Sequence, residues 1–178
     1  MFVSRQHVST GSPRPSMPPP IDGDIRDLLR RDHDYLLSRI DVMHMESDFG
    51  RCQELLQDLR RSWLLHVLAE ETVVYRYLEG VEAALESRNK ADERMLRNKL
   101  VEVFFEKLGQ CLPGGSTWHA RLNVLRVLIL QHNDAEQEDI FALLERHLDA
   151  RALKDMARRF ASVKEKLGML EEAKATTH

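Results

Sequence analysis

The sequence predicts an all-α protein: an antiparallel up-down-up-down four-helix bundle with an additional C-terminal helix. Three observations carry this expectation. Apolar residues recur at steps of three and four along four long stretches, the period of one helix face. Glycine is scarce, 8 in 178 residues, and aromatic residues make up only 6%, a profile that favours helices over a sandwich or barrel. Five of the six prolines fall between Pro13 and Pro20, which leaves the rest of the chain open to long helices.

Residues 1–22 hold those prolines and little that could form a core, so a disordered tail is expected there. The bundle is expected over 23–172. Its first stripe is Ile25, Leu29, His33, Leu36, Ile40 and Met43, and Asp48-Phe49-Gly50 breaks it. The second is Leu55, Leu59, Trp63, His66, Glu70, Val74 and Tyr77, fraying between Ser87 and Asp92. The third is Ala91, Met95, Asn98, Val101, Phe105 and Leu108. It stops at Leu112-Pro113-Gly114-Gly115, after which Ser116 or Thr117 can cap the next helix. The fourth is Leu122, Leu125, Ile129, His132, Glu136, Ile140 and Leu143. Short connections between four such helices give an up-down bundle. A shorter fifth helix from about Arg151 carries Leu153, Met156, Ala157, Phe160, Val163 and Leu167 on one face. Its other face is basic: a solvated face is the ordinary account, and a surface for a protein partner is the alternative. Residues 173–178 are expected to be a second disordered tail.

The totals exclude several classes of function. A formal net charge of -3 gives no basic field for nucleic acid. No apolar run approaches the roughly 18 residues that a membrane span needs. Cys52 and Cys111 are too few for a disulfide framework. Reduced thiols and a cytoplasmic location are expected, and no secretory signal is visible near the N-terminus.

Five side chains stand where apolar ones belong: His33, His66, Glu70, His132 and Glu136. A lone histidine on an apolar face is ordinarily a satisfied core residue. The two glutamates alter that balance, because burying an ionised carboxylate costs several kcal/mol unless it is paired or bound to metal. Each lies four residues after a histidine, about 40° away around the helix and about 6 Å along it. His-x-x-x-Glu therefore points both side chains the same way, and two such helices converge four ligands. Imidazole plus carboxylate suits iron, manganese or zinc, and the lack of thiolate argues against a structural zinc site. The spacing also repeats: His33 and His66 lie 33 residues apart, Asn98 and His132 lie 34 apart. Two hairpins of one design would set their ligands about a pseudo-twofold axis, a natural way to bind two ions.

These motifs resemble the hemerythrin-like, or HHE cation-binding, family: His33 within Asp-His-Asp, HVLAE at 66–70, and HNDAE at 132–136 followed by Glu138-Asp139-Ile140-Phe141. The resemblance spans about residues 24–148. It implies two irons, oxo- or hydroxo-bridged, with His33, His66 and His132 as terminal ligands and Glu70 and Glu136 as bridges. Another divalent metal remains open. It further implies a small ligand such as dioxygen, peroxide or nitric oxide, which the centre would bind, sense or detoxify, or else a role in handling iron. One position departs from the family pattern: Asn98 stands where the third helix should carry histidine. Asn98 itself as a weaker ligand, Glu102 as a substitute, one ion instead of two, and a metal-depleted bundle serving as an interaction or regulatory module all remain open. No general base or nucleophile pair points to an organic substrate. The remaining histidines, His7, His44, His119, His147 and His178, are expected to face solvent.

Overall fold

In the computed structural model, residues 23–81 and 85–175 are described. The tail expected over 1–22, and the last residues of the one expected over 173–178, lie outside them. Among the described residues every regular element is helical. Helix α1 (Ile25–Met45) is followed by α2 (Phe49–Glu70), a π turn (Glu71–Tyr75) and α3 (Arg76–Val81), which together form one rod. Then come α4 (Leu85–Gly109) and α5 (Ser116–Ala135). A second π turn (Glu136–Ile140) joins α5 to α6 (Phe141–His147). The last helix is α7 (Ala150–Ala175).

The starts follow from capping chemistry. Asp24 accepts the backbone N–H of Arg26, and Asp27 reaches back to the Asp24 backbone, so a reciprocal capping box opens α1. Asp48 accepts from Arg51 N at 2.7 Å and opens α2. At α5 the cap is Gly115, and Ser116 is already helical. Gly114, at φ 79°, makes the turn in a conformation glycine adopts without strain, and this brings the helix in one residue early. Helix α4 begins at Leu85, so the fraying expected over Ser87 to Asp92 does not occur. That stretch is polar and shows no stripe, yet it holds no glycine or proline to stop a helix. Helix α7 runs to Ala175, three residues past the boundary expected at 172.

Helix α1 packs against α2, α5 and α7; α2 also meets α4 and α7; α4 meets α5. The contacts α1–α2–α4–α5–α1 close a ring, and α7 covers the α1/α2 side. Two apolar cores fill it. One holds Leu36, Ile40, Leu59, Trp63, Val101, Phe105, Leu125 and Ile129. The other holds Ile25, Leu29, Ala69, Val74, Phe141, Leu144, Leu153 and Phe160. His33 falls between Leu29 of the second core and Leu36 of the first. His66 falls between Trp63 and Ala69, and His132 between Ile129 and Phe141. The polar residues thus form a layer between two greasy ones.

After each π turn the buried positions shift by one residue. Leu78 is buried instead of Tyr77, and Phe141 and Leu144 instead of Ile140 and Leu143, while Tyr75, the last residue of the first π turn, is buried beside Val74. A π turn inserts one residue into the helical repeat, so every later side chain rotates by one place.

Candidate metal centre

His33, His66, Glu70, His132 and Glu136 are all buried, none more than 3% exposed. One donor atom from each lies within 4.8 Å of all the others. The three imidazoles meet through Nε2: His33 to His66 at 3.1 Å, and His132 to His66 at 3.4 Å. The carboxylates close the group, with Glu70 Oε1 2.8 Å from His66 Nε2 and Glu70 Oε2 3.6 Å from His132 Nε2. Glu136 Oε2 stands 3.4 Å from His33 Nε2. Each His-x-x-x-Glu pair ends its α-helix, and the π turn starts at the next residue or at the glutamate itself. Such bulges recur at functional sites because they re-aim side chains that a regular helix would carry past one another.

The electrostatics of the metal-free cluster are those of a crowded, dry site. Burial lowers the pKa of His132 to about 3 and also lowers that of His33. Burial acts the same way on His66, but the charge of Glu70 and the hydrogen bond to Asp32 outweigh it and raise His66 to about 10. Burial and repulsion from Glu136 raise Glu70 well above the usual carboxylate range. Glu136 is lowered: burial opposes ionisation there, but His132, His33 and the neighbouring groups favour the charged form. Two carboxyls in one cavity do not both ionise without a cation. Neither oxygen of Glu70 and not Oε2 of Glu136 receives a well-directed hydrogen bond. Orphaned buried acceptors facing three imidazole nitrogens fit a bound cation, and the donor set is one that iron accepts.

Around this group lies a supporting layer. Asp32 Oδ2 is 3.1 Å from His66 Nδ1 and 2.5 Å from Lys164 Nζ of α7. Burial would raise the Asp32 pKa, but His66 and Lys164 bring it down, so the carboxylate stays charged and holds the ring. Tyr75 donates its hydroxyl hydrogen bond to Glu136 Oε1. Burial, with the charges of Glu136 and Glu70, pushes the Tyr75 pKa well up and keeps it a donor. The guanidinium carbon of Arg94 sits 3.1 Å from the Tyr75 ring centroid. The sequence reading missed Tyr75, Asp32, Lys164 and Arg94. Asp32 directly precedes His33 in the Asp-His-Asp motif, a signal that was available; Tyr75 becomes visible only once the π turn is known.

Glu102, Asn98 and the pair His44 and His119 depart from expectation. Glu102 does not join the cluster: it pairs with Arg60 at 3.5 Å and its side chain is 36% exposed. Glu102 follows Asn98 by one turn but lies at the edge of that face, where the exposed Arg60 neutralises it. Asn98 is half-buried with an unpartnered Oδ1 and is not among the five converging residues. His44 and His119 are not free in solvent. They are partly buried and stacked, centroids 5.6 Å apart and planes at 11°.

Fold and site together define an all-helical protein with a buried histidine–carboxylate cluster able to hold a metal ion. The chain belongs to the hemerythrin HHE cation-binding domain family, whose model matches residues 24–144. It is also similar to a protein named DNA nickase from Nostoc sp. (strain PCC 7120 / SAG 25.82 / UTEX 2576), at 21% identity over 146 residues. The match covers 82% of this chain and 40% of that relative, so the chain spans well under half of the relative's length. No solved structure matches.

Proposed function

We propose that His33, His66, Glu70, His132 and Glu136 hold non-haem iron, and that the centre binds, senses or detoxifies a small oxidant such as dioxygen, peroxide or nitric oxide. The observation that carries this reading is the convergence of three imidazole nitrogens and two carboxylates, with orphaned oxygens, in a dry layer between two apolar cores. Iron bound there would supply a redox-active Lewis acid able to take a diatomic ligand. The chain's own contributions are distinct. Asp32 fixes the ring of His66. Tyr75 places an O–H beside Glu136. Trp63, whose ring lies 4.9 Å from that of His132, helps keep bulk water out. We propose too that the ring of helices runs up-down-up-down, since each connection among the described residues is short relative to its helices.

The experiment is iron analysis of protein purified from iron-supplemented cells, with optical spectra before and after anaerobic nitric oxide. Bound iron and new charge-transfer bands support the reading. A metal-free protein with an unchanged spectrum after ferrous loading would overturn it. DNA nicking is named for the relative, of which the shared stretch is 40%. We propose no nucleic-acid contact for this chain, because its formal net charge is -3. Nicking of supercoiled plasmid by the metal-loaded protein would refute that.

A further inference from the structure

We infer that the centre takes one metal ion, not two, and that Tyr75 and Arg94 occupy the place beside Glu136 where a second ion would stand. This rests on the metal-binding reading above and narrows it.

Size favours one ion. Ions in a two-metal site stand about 3.5–4 Å apart. With bonds of about 2.0–2.2 Å, terminal ligands on opposite ions then lie at least about as far apart as the ions when side by side, and up to about 8 Å apart when they extend the ion–ion axis. Here all five donors lie within 4.8 Å of one another. Adjacent ligands around a single ion lie about 3 Å apart at such bond lengths. The Nε2 separations of 3.1 Å and 3.4 Å from His66 to His33 and His132 match that spacing.

The state of Glu136 points the same way. A bridging carboxylate gives one oxygen to each ion. Oε1 of Glu136 already accepts the Tyr75 hydroxyl, and only Oε2 is without a hydrogen bond. Glu136 is therefore set up as a terminal ligand with a hydrogen-bonded outer oxygen.

Charge acts in the same direction. Arg94 lies over the Tyr75 ring on the α4 side. Half-buried there, its fixed positive charge repels a second dication and supplies part of the charge that such an ion would bring. Helix α4 also supplies no ligand. Asn98, one turn after Arg94, offers only an amide, and Glu102 is held by Arg60. Among the described residues no further histidine, cysteine or carboxylate group of three or more could hold a metal.

The test loads the full chain anaerobically with excess ferrous iron, removes loose metal, and counts ions by native mass spectrometry. Electron paramagnetic resonance follows oxidation. One ion per chain and the signal of an isolated ferric ion are expected. Two ions, silent through coupling, would overturn the inference and leave the metal-binding reading standing. No retained ion would remove both. The triple variant Tyr75→Phe, Arg94→His, Asn98→His is expected to take a second ion. A count that stays at one would overturn the assignment of Tyr75 and Arg94 as the pair that excludes it.

Discussion

His66 Nδ1 and Asp32 Oδ2 stand 3.1 Å apart, and this contact ties three helices to one imidazole. Asp32 comes from α1, His66 from α2, and Lys164 of α7 grips the same carboxylate oxygen. With Nδ1 engaged by a carboxylate, Nε2 is the nitrogen left for metal. Asp32→Asn is therefore expected to weaken metal affinity by about 10- to 100-fold with little change in helix content. Lys164→Met, one step further out, should cost less. Competition against a calibrated chelator measures both. Equal affinity in Asp32→Asn and the wild type would show that the ring is held by packing alone.

Metal uptake should release protons. In the metal-free cluster the His66 pKa is raised to about 10 and that of Glu70 lies well above its ordinary value. Both groups must lose a proton to become ligands. Both shifts are upward, so near neutral pH their protons compete with the ion, and affinity rises with pH. Titration calorimetry in buffers of different ionisation enthalpy should show net proton release at pH 7, with affinity falling about tenfold or more from pH 8 to pH 6. Flat affinity over that range would mean the ligands are already deprotonated.

The sequence showed the site more fully than it showed its surroundings. All five converging residues are legible because polar groups on an apolar stripe contradict the helical pattern, and the contradiction repeats at His-x-x-x-Glu. The first stripe, Ile25 to Met43, is buried as read, because a regular helix keeps its register. Register fails where the helix does. Each π turn moves the buried face by one residue, which put Leu78 in the place of Tyr77 and Phe141 in that of Ile140, and it buried Tyr75, which the stripe did not include. Arg94 was hidden for another reason: a charged residue on a helix reads as solvated, and only tertiary packing places it over an aromatic ring.

Metal and fold stability should be linked through the two glutamates. A ligand that binds only the folded state at about 1,000 times its dissociation constant adds about 4 kcal/mol. Iron is expected to raise the wild-type melting temperature accordingly. Replacing the polar set by Glu70→Leu, Glu136→Leu and Tyr75→Phe removes the orphaned oxygens together with the hydroxyl that would otherwise lose its acceptor. The metal-free triple variant should be about 1–4 kcal/mol more stable than the metal-free wild type and indifferent to iron. Chemical denaturation with and without metal checks both halves. A triple variant that still gains stability from iron would place the ion elsewhere.

Helix α7 should matter to the site and not only to the fold. Phe160 is 1% exposed, and its ring stands edge-on to His66, centroids 6.2 Å apart. Leu125 is equally buried but sits in the other core. Phe160→Ala is expected to cost about 3–5 kcal/mol and Leu125→Ala about 2–5 kcal/mol, so the two are comparable in stability. They differ in what they uncover. Losing the Phe160 ring opens a cavity beside His66 and admits water to the ligand layer, whereas the Leu125 cavity lies away from it. At a temperature where both variants remain folded, Phe160→Ala should release iron to a chelator at least about tenfold faster than Leu125→Ala, in line with the loss that follows when a ligand's support is removed. Equal release rates would reduce the role of α7 to stability alone. Faster release from Phe160→Ala would make α7 the wall that keeps the centre dry.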